Sequence, residues 1–209
     1  VNPGAVHQKF QDAFIGVWRG EMESDGFNGL VLGAGLTWRQ VVILRTYCKY
    51  LRQAGIPFSQ AYMEQTLANH PGLARLIVDL FVALFDSAGA ATAVRRARRI
   101  QDKLNQGLEL VESADEDRIL RRFHNVVEAT LRTNYFQPAA DGGPKPYLSV
   151  KLDSQKVDDL PLPRPMVEVF VYSPRVEAIH LRGGKVARGG IRWSDRREDF
   201  RTEILGLVK

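Results

Sequence analysis

Over the first two thirds of the chain, apolar residues return every three or four positions. Leu73, Leu76, Ile77, Leu80, Phe81 and Leu84 mark one face of an amphipathic helix in the most apolar stretch, Leu73 to Phe85. Arg75 and Asp79 interrupt that stretch, which argues against a membrane span. Upstream, Thr37 and Gln40 have the spacing of a capping box, predicting a helix from Trp38 to about Ala54 with Val41, Leu44, Cys48 and Leu51 on its inner face. Gly55 and Pro57 end it, Ser59 caps a short helix running to His70, and Pro71 opens the apolar helix. A basic, Ala-rich helix follows from about Ala90 to Val111. A second capping box, Ser113 with Glu116, starts a helix with Ile119, Phe123, Val127 and Leu131 inside.

The pattern then changes. QPAADGGPKP, from Gln137 to Pro146, is too rich in Pro and Gly for regular structure. Beyond it the apolar period falls from about 3.6 residues to about 2. YLSVKL, MVEVFVYS and VEAIHLRG predict strands over 147–152, 166–172 and 177–182, and a final helix is expected to begin near Asp195. The expected fold class is α+β: a helical N-terminal region, 1–140, followed by a partial β-sheet with one C-terminal helix, 141–209. No repeat of fixed period appears.

Composition adds bounds. The 209 residues suffice for one sizeable domain or two small ones, and with 44% hydrophobic and 25% charged residues disorder is not expected over most of the length. The formal charge of +5 is modest and spread along the chain. A single cysteine, Cys48, excludes an internal disulfide and suits a reducing compartment, so a cytoplasmic setting is expected. The start, VNPGAVHQKF, lacks the layout of a signal peptide, and TEILGLVK stops inside a helical pattern; both ends read as cuts in a longer polypeptide.

The chemistry concentrates in HLRGGKVARGGIRWSDRREDFRTEILGLVK, residues 180–209. The pairs Gly183-Gly184 and Gly189-Gly190 permit positive φ and a close approach of ligand to backbone. Arg182, Lys185, Arg188 and Arg192 surround them, and Ser194 or Asp195 is placed to cap the final helix, turning its positive end toward the cluster. Glycine turns, guanidinium forks and a helix N-terminus suit a carboxylate or a phosphate. A solvated glycine hairpin with flanking arginines fits the same residues.

The run Arg188-Gly189-Gly190-Ile191-Arg192, with Trp193-Ser194 and then Glu203, resembles the substrate-binding segment of amino-acid dehydrogenases of the glutamate dehydrogenase type, where the usual form is Lys-Gly-Gly-hydrophobic-Arg. The whole string, with LTWRQVVILRTYCKYLRQAGIPFSQAYMEQTL and SVKLDSQKVDDLPLPRPMVEVFVYSPRVEAIHLRGG, is similar to the very large bacterial NAD-specific glutamate dehydrogenases, from about Phe10 to Lys209. The resemblance implies a parent oxidoreductase that deaminates L-glutamate to 2-oxoglutarate and ammonia with NAD, a homo-oligomer in which the rest of the chain completes the site. It places Arg188, Gly189, Gly190 and Arg192 at the substrate. Arg188 stands where the smaller enzymes have a lysine, exchanging a point charge for a planar fork. The catalytic lysine and the NAD domain fall downstream, so the residues here are expected to be inactive alone. Lys209 comes too early in register and reads as an ordinary helix lysine.

Other features have plainer readings. Arg95, Arg96, Arg98 and Arg99 cannot share one narrow helix face and have no interleaved aromatics, so a solvated or interdomain surface is expected, and no nucleic acid. His7, His70, His124 and His180 lack metal-ligand spacing. Cys48 reads as a small buried hydrophobe, Asp153, Asp158 and Asp159 as surface charge, and Trp193 as either a pocket wall or a helix anchor. The competing reading from another class is a non-catalytic helical interaction or regulatory module.

Overall fold

The computed structural model describes residues 3–87, 90–184 and 199–207. Helices come first: α1 Pro3–Trp18, α2 Leu30–Gly33, α3 Trp38–Gln53, α4 Gln60–Asn69, α5 Pro71–Phe85, α6 Ala90–Leu108 and α7 Ala114–Glu128. Then follow β1 Thr130–Thr133, β2 Leu148–Asp153, β3 Val167–Tyr172, β4 Glu177–Arg182 and α8 Phe200–Leu207. The strands form one antiparallel sheet in the order β1-β2-β3-β4. This is the α+β class read from the sequence, with the three expected strands at β2, β3 and β4.

The helix signals act where expected. Thr37 and Gln40 form the reciprocal capping box of α3, and Ser59 accepts from the Tyr62 amide at the start of α4. Pro71 occupies the first turn of α5, where its missing N–H costs nothing. Gly55, at φ +82°, turns the chain sharply after α3. The second box is only half made. The Ser113 hydroxyl accepts from the Glu116 amide at 3.4 Å, but the Glu116 carboxylate turns away to Asn69 Nδ2 at 2.7 Å and His70 Nε2 at 2.8 Å. These contacts tie α7 to the α4–α5 junction.

Tertiary packing moved three expectations. The α3 face with Val41, Leu44, Cys48 and Leu51 is buried, but so are Val42, Ile43, Arg45, Tyr47 and Tyr50, because helices pack on one side of α3 and the sheet on the other. On α5, Ala74, Ile77, Val78, Leu80 and Phe81 face the core and Leu84 is exposed; the helix is so apolar that more than one stripe fits the period. Leu131 is not inside a helix. The chain leaves α7 at Glu128, and the Thr130 hydroxyl bonds the Val126 carbonyl and the Tyr47 hydroxyl while its backbone enters β1. The segment 137–146 therefore joins two neighbouring strands of one sheet.

A continuous apolar core runs from Ala13 on α1 to Phe200 on α8. Phe81 meets Tyr47 on α3 and Tyr135 after β1 edge-to-face, with centroids 6.1 and 5.5 Å apart. No single described helix is long and apolar enough to cross a membrane.

Candidate anion-binding site

Arg188, Gly189, Gly190 and Arg192 lie outside the described residues, as do Lys185, Trp193, Ser194, Asp195 and Lys209. What the structure describes is the frame on both sides of them. On the incoming side β4 pairs with β3 through Val167↔Arg182 and Glu168↔Leu181, and the Met166 amide donates to the Arg182 carbonyl at 2.8 Å. The Arg182 guanidinium folds back, Nε donating to the Gly184 carbonyl at 2.9 Å. Gly184 does not adopt a positive φ, and a Cβ added there would meet open space. The side-chain bond from Arg182 thus reaches Gly184 without that residue using the positive φ its lack of a side chain permits.

On the outgoing side, α8 starts after Asp199, whose carbonyl accepts from the amides of Thr202 and Glu203. Its second residue, Arg201, is 1% exposed and ends in a buried bidentate pair: Nη2 reaches Glu168 Oε1 at 2.6 Å and Nε reaches Oε2 at 2.9 Å. Glu168 is wholly buried on the core face of β3, between strand neighbours that lead to Phe170 and Tyr172. Tyr50 on α3 donates its hydroxyl to Glu168 Oε2 at 3.2 Å, and Gln53 accepts from the Arg201 amide at 3.1 Å. Burial opposes the charge of Arg201, but the bonds to Glu168 outweigh it and hold the guanidinium above its usual value. Burial, then the adjacent carboxylate, keeps the Tyr50 hydroxyl well above the usual phenol range, so it serves as a donor. Sequence reading missed this cluster. A glutamate inside the alternating run MVEVFVYS was its one signal, because a buried acid needs a buried cation.

A second charged network lies at the opposite end of β3. Arg45, fully buried, holds Asp25 through two 2.6 Å bonds and Asn28 through one of 2.8 Å, with its guanidinium 5.6 Å above the Phe27 ring. Tyr172 donates to Glu23 at 2.8 Å, and Lys49 lies near both Glu23 and Glu177. Burial pushes the Glu177 carboxyl up, with Lys49 opposing the shift. A groove of about 590 Å³ opens between α1, the start of α3 and the loop 139–147. Its Arg39 is committed to the carbonyls of Lys145 and Tyr135, so it presents no free fork.

The remaining candidates are scattered. Arg95, Arg96, Arg98 and Arg99 are exposed around α6, with Ala97 buried between them. His180 is exposed on β4, and His124 Nε2 lies 3.5 Å from Glu128. Among the described residues no three His, Cys, Asp or Glu side chains gather as a metal site. Cys48 is buried, and burial pushes its thiol far up, leaving it inert. Asp158 and Asp159 pair with Arg122, while Asp153 caps the turn after β2.

Known sequences give this arrangement a family. Residues 103–209 match the family described as bacterial NAD-glutamate dehydrogenase, catalytic domain, and residues 22–87 match glutamate dehydrogenase, helical motif 3. The NAD-specific glutamate dehydrogenase of Mycobacterium tuberculosis is 54% identical over 207 residues, 98% of this chain and 13% of that protein. The enzymes of the same name from Halomonas elongata and Pseudomonas aeruginosa are 49% and 47% identical over 96% and 98% of the chain. The chain thus spans about an eighth of the length of these relatives, 12–13%. With the catalytic-domain match covering half of it and continuing through the glycine-rich segment to its last residue, the chain belongs to the bacterial NAD-glutamate dehydrogenase family.

Proposed function

We propose that this chain is an internal part of an NAD-dependent glutamate dehydrogenase, in which Arg188, Gly189, Gly190 and Arg192 form part of the substrate site. The reaction is the oxidative deamination of L-glutamate to 2-oxoglutarate and ammonia. The supporting observation is the run Arg-Gly-Gly-Ile-Arg between β4, which pairs with β3, and α8, whose Arg201 bonds Glu168 of β3. The relatives' shared name supplies the substrate and the cofactor.

In this reading Arg188 and Arg192 hold a carboxylate of glutamate by charge-assisted hydrogen bonds, and the glycines let the backbone approach it. Fixing the dicarboxylate in one orientation presents its Cα hydrogen to the nicotinamide, and such positioning supplies much of the rate. NAD, which accepts the hydride, is held by parts of the parent outside these residues. The 141–209 segment forms the start of the substrate domain, and the helices before it brace that start. The 209 residues alone are inactive.

Steady-state kinetics of the full-length enzyme test the assignment. Arg188→Ala and Arg192→Ala should each lower kcat/KM for glutamate by roughly 30- to 150-fold, the loss of about 2–3 kcal/mol of a charge-assisted anchor. The KM for NAD should hold, and Arg188→Lys should recover part of the loss. Arg95→Ala and Arg98→Ala, on exposed α6, should stay within about a factor of two. Normal glutamate kinetics in folded Arg188 and Arg192 variants would make the glycine segment structural.

A further inference from the structure

We infer that Glu168 and Arg201 are positioning residues for substrate binding, making the first residues of β3 a clamp that holds both ends of the glycine-rich segment. The inference rests on the proposed role of Arg188 and Arg192.

The geometry is specific. The segment leaves the sheet at the end of β4, where Arg182 is paired with Val167 and its carbonyl accepts from Met166. It re-enters the described structure at α8, where Arg201 is locked by both oxygens of Glu168. Val167 and Glu168 are neighbours on one strand. Two adjacent residues therefore fasten the two ends of the segment, one through backbone pairing and one through a side-chain fork.

The second fastening is directional in a way apolar packing is not. Two parallel N–H···O bonds fix the rotation of the guanidinium plane as well as its distance. Tyr50 occupies a remaining lone pair of Glu168, and Gln53 takes the Arg201 amide, so α3 fixes the pair from the other side. Burying a carboxylate and a guanidinium at this depth contributes little net stability compared with apolar residues of equal volume. An arrangement expensive in desolvation, placed at the root of the helix that follows the substrate motif, fits a role in orientation. Arg201 lies nine residues beyond Arg192 in sequence, on the next described element of the chain. A misplacement of about 1 Å at a substrate anchor costs up to roughly 100-fold in rate.

The test uses the full-length enzyme with four variants: Glu168→Gln, Arg201→Lys, Arg201→Met and the double change Glu168→Leu with Arg201→Met. Melting temperature, circular dichroism and separate KM values for glutamate and NAD are read for each. Glu168→Gln and Arg201→Met should reduce kcat/KM for glutamate between about 10- and 100-fold while leaving the KM for NAD within about twofold. Arg201→Lys keeps the charge and loses the fork. It should fold even if the other single variants do not, and its glutamate defect should be intermediate. The apolar double variant removes both charges together, so it should regain melting temperature without regaining glutamate kinetics. Recovery of both together would assign the pair to stability alone and overturn the inference. So would wild-type glutamate kinetics in folded Arg201→Lys and Glu168→Gln. Arg188→Ala and Arg192→Ala, measured alongside, separate the two ideas. If they lose glutamate binding while the clamp variants do not, only the clamp falls. If they do not, the substrate assignment falls with it.

Discussion

The buried network around Arg45 permits a sharp prediction, because its two charges are unequally exposed. The Arg45 side chain is 0% exposed and Asp25 is 11% exposed, and they share two bonds of 2.6 Å. Asp25→Asn leaves the acceptor that caps the turn at Phe27 in place but removes the negative charge. The guanidinium is then stranded in the core with Asn28 as its remaining strong acceptor, and one of its nitrogens, Nη1, already lacks a partner. Uncompensated buried charge of this kind costs about 3–5 kcal/mol. Arg45→Met acts on the other member. The methionine stem replaces the buried aliphatic part of arginine and keeps contact with Phe27, while Asp25 regains water at the surface. That change should cost about 1–2 kcal/mol, mainly lost hydrogen bonds. The double variant leaves no buried charge and should cost no more than Arg45→Met, giving a coupling of roughly 3–5 kcal/mol in the cycle. Urea unfolding of the 209-residue chain, followed by circular dichroism, reads all three. With a slope near 2 kcal/mol/M, about 4 kcal/mol moves the midpoint by about 2 M. Additive single costs, or equal costs for the two single variants, would refute the claim that burial decides which partner matters.

The remaining predictions follow from burial, hydrogen bonding and the spacing of the glycines. The isolated 209-residue chain should show no saturable NAD binding by calorimetry at micromolar concentration, since its sequence contains no Gly-x-Gly-x-x-Gly spacing; a clear isotherm would contradict the proposed placement of the cofactor site. The hydrogen bonds from His70 and Asn69 hold the Glu116 carboxyl below its usual value, so its contribution is present above the unfolded carboxylate pKa of about 4.3 and lost as pH falls through the lower folded value. Glu116→Gln should therefore lower the melting temperature near neutral pH and by progressively less as the pH falls below about 4.3, and a pH-independent effect would exclude the ionic contribution. Phe81→Ala, which removes a ring touching Tyr47, Phe85 and Tyr135, should cost about 3–5 kcal/mol in a single cooperative transition.

Local chemistry along the chain was enough for the caps of α3 and α4, the proline start of α5, the glycine turn after α3 and the three strands β2 to β4. Each of these depends on neighbours in sequence: a hydroxyl three residues before an amide, or alternation over six positions. The run Arg188-Gly189-Gly190-Ile191-Arg192 is contiguous and so can be read from the sequence, and its role stays a proposal because it lies outside the described residues. Strand β1 was not legible. TLRT carries no alternation, and the helical period of α7 runs on into Leu131; the pairing of Thr130 with Leu152 and the Tyr47–Thr130 bond decide its conformation from across the fold. Nor could the pattern choose the buried face of β3. The alternation in MVEVFVYS puts valines on one side and Glu168, Phe170 and Tyr172 on the other, and hydrophobicity alone favours burying the valines. The structure buries the side with the glutamate, because Arg201, 33 residues later, and Tyr50, 118 residues earlier, converge on its carboxylate. A buried charge is tolerable only where its partners are. That condition belongs to the tertiary structure, since no local pattern records which distant residues will arrive.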